Sequence, residues 1–136
     1  MKTMKNQNEV QGESNINVVQ QAEESNIGRL AMIIRGGRER YGMIESVAML
    51  GKNKVYGFVT SWDDTWLGCL VYASQVTWVK NSREAQLATD AVTKYITWET
   101  RSLKAAIKRY VANGNSAMAA RTESILEGVC GLRAYL

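Results

Sequence analysis

From Ile27 onward the chain alternates short apolar runs with tight-turn residues. Arg29 to Arg35 is followed by Gly36-Gly37, Tyr41 to Leu50 by Gly51-Lys52-Asn53, and then comes Val55 to Trp62. Runs of this length, punctuated in this way, predict a meander of antiparallel strands joined by three hairpins. Ile27, Leu30, Ala31 and Ile34 also fall on one helical face, so Asn26 to Arg35 and Tyr41 to Leu50 each keep a short-helix reading beside the strand reading.

Residues 54–79 carry six of the chain's eleven aromatic side chains among β-branched residues, broken by Asp63-Asp64. That texture predicts a hairpin, because such side chains fill a pleated surface while short polar residues make turns. Its register is open. A three-residue loop at Asp63, Asp64 and Thr65 pairs Trp62 with Trp66, Phe58 with Leu70 and Tyr56 with Tyr72, gathering one aromatic face. A two-residue loop at Asp63-Asp64 puts Trp66 and Tyr72 opposite to Tyr56, Phe58 and Trp62, since one step of register turns a strand over.

The period changes at Asn81. Asn81 with Glu84 has the spacing of a capping box, and Gly114 between two asparagines is a helix stop. Between them Ala88, Val92, Tyr95, Leu103, Ala106 and Tyr110 share one side, and Arg83, Lys94, Arg101, Lys104 and Lys108 the other. This predicts one long amphipathic helix, with a kink or even a strand in competition at Tyr95 to Thr100 on local propensity. Ser116 is placed to cap a final helix with a seam of Met118, Thr122, Ile125, Val129, Leu132 and Leu136. Gly128 and Gly131 each weaken that helix by about 1 kcal/mol against alanine, so it needs tertiary support. The fold class expected is α+β: an antiparallel meander of about four or five strands, then one long and one shorter C-terminal helix packed on one face.

Composition refines this picture in three ways. Residues 1–26 are rich in Gln, Asn, Glu and Ser, and read as a polar, flexible N-terminal arm ahead of a single α+β domain over 27–136. The net charge is +4, but Lys2 and Lys5 against Glu9, Glu13, Glu23 and Glu24 leave the arm at −2, so the domain carries +6. Third, the chain has no histidine and no proline. The missing histidine removes the commonest general acid/base and metal ligand, and every Ser-His or Cys-His nucleophile pair. Cys69 and Cys130 form no Cys-x-x-Cys motif, no signal-type apolar stretch opens the chain, and no run approaches the roughly 18 apolar residues of a membrane span. A soluble cytoplasmic protein with no cofactor, no metal and no membrane partner is expected, and an enzyme is disfavoured.

Candidate binding chemistry follows the charge. Arg35 and Arg38 flank two glycines whose backbone amides are open to an anion, Arg40 follows, and Lys52 and Lys54 form a second basic turn. On the long helix Lys94, Arg101, Lys104 and Lys108 lie along one line with Arg83, interrupted by Asp90, and such a line can follow a phosphate backbone. Helices that face a core put charge outward in any case. Trp62 and Trp66, bracketing a polar turn, are the aromatics expected at a surface. Glu99 breaks the pattern: rotation places it amid the apolar face of the long helix, which demands a raised pKa, a salt bridge to Arg29, Arg35 or another cation, or a helix break that turns it outward. The function expected is that of a small non-catalytic, homo-oligomeric binding protein for a phosphate-rich ligand, nucleic acid foremost. The alternative is a protein-interaction module, such as a regulator, inhibitor or assembly subunit, built on Trp62, Trp66 and the final helix.

Overall fold

The computed structural model describes residues 26–136; the expected arm lies outside the described residues, except for Asn26. Five antiparallel strands form one sheet: β1 (Leu30–Arg35), β2 (Arg38–Leu50), β3 (Asn53–Trp62), β4 (Thr65–Tyr72) and β5 (Thr77–Trp78), in the order β4-β3-β2-β1-β5. The three expected hairpins are present, each with a two-residue loop closed by the pairs Arg35↔Arg38, Leu50↔Asn53 and Trp62↔Thr65. Gly36 and Gly37 both have positive φ, which the tightest hairpin turns require. Asp63 meets the same demand at φ 50, a conformation that Asp tolerates because its short carboxylate bonds locally. Both short-helix readings give way to strands, since hairpin pairing satisfies backbone groups that a single helical turn would leave free.

A fifth strand falls within the expected four or five, but its place beside β1 was not foreseen. After β4 the chain passes through a 3-10 turn (Ala73–Gln75) and pairs with β1 at the far edge, through Ala31↔Trp78 and Met32↔Thr77. The sheet must curl for this, and a bulge between Ile44 and Ser46 helps to bend β2. Ala31, Ile33, Ile44, Tyr56, Phe58 and Val71, from four strands, pack into one cluster inside the curl, with Val76 and Trp78 against it. The rings of Tyr56 and Trp78 meet at 5.9 Å, although two strands separate them in the sheet. Asn26 closes this side by donating to the Tyr56 hydroxyl at 3.0 Å, and accepts from Arg29, which stacks on Trp78.

The other face carries the helices. α1 (Ser82–Ala112) buries Ala88, Val92, Tyr95 and Ile96 against Met43 and Val59, and α2 (Ser116–Gly131) adds Val129, with Leu132 just beyond it. Because both faces are covered, β3 is buried over seven consecutive residues, Val55 to Ser61. The capping of α1 differs from the expected box: Asn81 accepts from the Glu84 amide, but the Glu84 carboxylate takes the Lys80 amide instead of that of Asn81. Gly114, at φ 73, stops α1 as expected, with Gly114 N–H to the Val111 carbonyl and Asn115 N–H to that of Tyr110. Asn115, not Ser116, caps α2 by accepting from Met118 N–H. The competing strand at Tyr95 to Thr100 gives way to one continuous helix; tertiary burial of Tyr95 and Ile96 outweighs the β propensity of their neighbours. The expected α2 seam holds at Thr122, Val129 and Leu132, whereas Ile125 and Leu136 are exposed because α2 meets α1 on one side only. Among the described residues no helix is long and apolar enough to cross a membrane.

Tyr95 sits where the helical layer meets the sheet, its hydroxyl against Gly68. Burial raises its pKa far above the ordinary 10.0, and the Glu99 and Glu45 carboxylates push the same way. The fold thus favours the neutral phenol: stability is full below pH 10 and falls as pH rises above it, where the unfolded chain ionises first. Tyr95→Phe should flatten that decline by about 1 kcal/mol per pH unit, discounted for the water that still reaches this edge. Urea titrations of both proteins at pH 8, 10 and 11 (about one unit past the ordinary phenol) check this; Tyr41 and Cys69, raised in the same sense, remain in both and cancel. Parallel stability curves would contradict it.

Candidate functional site

The two-residue loop at Asp63-Asp64 decides the positions of the tryptophans. In β4 it turns Trp66 toward the helices and leaves Trp62, in β3, on the concave side with Phe58 and Tyr56. Trp62 is half-buried there and the guanidinium of Arg40, directly across from it in β2, lies 4.1 Å from its ring centroid. Arg40 is therefore already engaged, and its buried Nε has no hydrogen-bond partner among the described residues.

Trp66 meets α1. Its ring leans on Trp98 at 5.5 Å with 51° between planes, and its indole N–H donates to Glu99 Oε1 at 3.0 Å. Here is the compensation that Glu99 requires: an indole donor takes the place of the expected cation, and the helix continues unbroken through the carboxylate. Asp64, Trp66, Trp98, Arg101, Ser102 and Ala105 line an open cleft of about 400 Å³. Its walls combine two aromatic faces with one exposed guanidinium, and Asp64 opposes that charge from the hairpin side.

The expected cations divide into three groups. Arg35 and Arg38 are exposed at the end of the sheet that also carries the Asp63-Asp64 turn, beside Arg40 and Trp62. Lys52 and Lys54 lie at the opposite end, about 27 Å away along β3, around a second recess with Asn53, Tyr72, Ala73 and Ser74. Lys94, Arg101, Lys104 and Lys108 are exposed on α1, and the line from Lys94 through Arg101 to Lys108 passes over Trp98. The structure therefore joins Trp66 to the helix cations and separates both from the Lys52 turn. No family model, curated protein or solved structure matches this chain. The site must be read on its own chemistry. Among the described residues no group of three or more His, Cys, Asp or Glu side chains could hold a metal ion.

Trp98 is the site residue that sequence reasoning missed. Its signal was available: it lies four residues after Lys94 and three before Arg101, on the cationic face rather than the apolar one. An aromatic on the charged side of an amphipathic helix has no role in that helix's core contact.

Proposed function

We propose that the protein binds a single-stranded, phosphate-rich ligand, nucleic acid foremost, in the cleft between the β3–β4 hairpin and α1. The observation that carries this reading is the Trp66–Trp98 pair beside Arg101, on the same line of α1 as Lys94 and Lys108. Stacking platforms next to a cationic track are what a strand with splayed bases needs, and stacking tolerates any base. Asp64 repels phosphate from the hairpin side and so sends the backbone along α1. Cys69 and Cys130 are unpaired, which fits a reducing, cytoplasmic setting.

The test is a titration of tryptophan fluorescence with single- and double-stranded oligonucleotides at several salt concentrations. Single strands should quench the signal and bind with log K falling as log salt rises. Trp98→Ala should cost about 1–3 kcal/mol of binding, roughly 5- to 150-fold. Arg101→Gln should weaken binding more uniformly and reduce the salt slope by about one phosphate contact. An absence of salt-sensitive binding at micromolar protein would remove the proposal.

A further inference from the structure

The two edges of the sheet are unequal. β5, at one edge, has two residues, while β4, at the other, has eight, Thr-Trp-Leu-Gly-Cys-Leu-Val-Tyr, with no charge and no proline. Edge strands are ordinarily blunted by charge, proline, shortness or cover, and β4 shows none of the first three. The pair Trp62↔Thr65 that closes the two-residue loop is a hydrogen-bonded pair, so alternate residues from Thr65 bond to β3, and Trp66, Gly68 and Leu70 turn their amides and carbonyls to the open edge. Tyr72, next in that series, is already engaged: its N–H donates to Gln75 Oε1 at 2.9 Å. The open edge is thus centred on Gly68.

We propose that β4 pairs antiparallel with β4 of a second copy of this chain, about a twofold axis at Gly68, joining two five-stranded sheets into one of ten. Charge singles out a second copy as the occupant. β4 begins at the acidic Asp63-Asp64 turn and ends beside the basic Lys52–Lys54 turn, which shares a recess with Tyr72. Antiparallel pairing sets the acidic turn of each copy at the basic end of the other, twice by symmetry.

Apolar surface follows the same symmetry. α1 roofs the Trp66 end of β4 but leaves the other end bare: Leu70 is 71 % exposed, Leu50 59 % and Tyr72 44 %, around a hollow of about 170 Å³ that Val55 and Gln75 also line. Centring on Gly68 places Trp66 of the second copy opposite Leu70, next to that hollow, while the paired glycines let the strands close without side-chain conflict. The pairing does not depend on what the cleft binds.

Sedimentation equilibrium up to about 0.1 mM protein should show a dimer, a modest affinity for an interface of this kind. Leu70→Glu, at a position already exposed, should keep the far-UV spectrum and weaken the dimer at least about tenfold, because a carboxylate then replaces the apolar partner of Trp66 and lies diagonal to Asp64 of the second copy. Asp64→Lys should weaken it as well, and adding Lys52→Asp to that variant should restore it. A wild-type monomer throughout the range overturns the proposal, as does a dimer unmoved by Leu70→Glu in a folded protein. Should Leu70→Glu fail to fold, the Asp64/Lys52 exchange decides alone: a dimer indifferent to both charges overturns the β4 pairing.

Discussion

Gly42→Ala should destabilise the protein by about 3 kcal/mol or more, at the upper end of what one added methyl costs in a packed core. Gly42 lies in the middle of β2 opposite Thr60, and a Cβ built there would sit against the Val59 carbonyl of the neighbouring strand and the tip of the Phe58 ring. A side-chain end can rotate away, but a backbone carbonyl within a ladder cannot move without breaking pairing on both sides. Thr60 adds to the rigidity, because its hydroxyl donates to the Tyr41 carbonyl at 2.5 Å and fastens β3 to β2 one residue away. Urea unfolding should show the lower midpoint with an unchanged slope. A loss below about 0.5 kcal/mol, the size of an ordinary surface change, would contradict the close approach.

Gly42 also marks what the sequence does and does not disclose. Gly36-Gly37, Gly51 and Gly114 are legible because their neighbours are turn residues or the end of a helical period, and the structure gives all four a positive φ. Gly42 and Gly57 lie inside apolar runs and have ordinary strand backbones; their cause is an atom from elsewhere in the chain, the Val59 carbonyl for one and the Glu45 and Ser46 side chains for the other. The same division runs through the fold. Strands, hairpins and the limits of α1 are local and were legible. The crossing to β5 and the curl it imposes were not, because Thr77 and Trp78 find partners in Met32 and Ala31, far back along the chain.

The candidate site divides likewise. The helix cations were legible from their rotation about the helix axis, but their neighbours depended on the register of one turn. With Asp63 in the left-handed region, the loop has two residues and Trp66 reaches α1; with three residues it would have joined Trp62 on the concave side, far from Arg101. Glu99 was flagged as a charge amid the apolar face; it is half-buried, its partner lies 33 positions earlier in the chain, and the indole N–H is a donor that a search for cations passes over.

Phe58→Ala should cost about 3–5 kcal/mol, the largest loss expected from a single truncation among the described residues. Phe58 is fully buried inside the curl, among Ile33, Ile44, Tyr56 and Val71. The cavity left behind cannot collapse easily, because its walls are strands of one hydrogen-bonded sheet rather than separable layers. The ring also lies over Gly42 along a cross-strand diagonal and covers backbone that glycine leaves bare. A double-mutant cycle then separates the two obstacles that a methyl at position 42 would meet. In the Phe58→Ala background the ring is gone and the carbonyl remains, so Gly42→Ala should still destabilise, but by about 1 kcal/mol less than in the wild type. Equal costs in both backgrounds would assign the whole effect to the Val59 carbonyl. Complete loss of the effect would assign it to the ring, and would mean that β2 and β3 can part enough at Gly42 to admit a methyl.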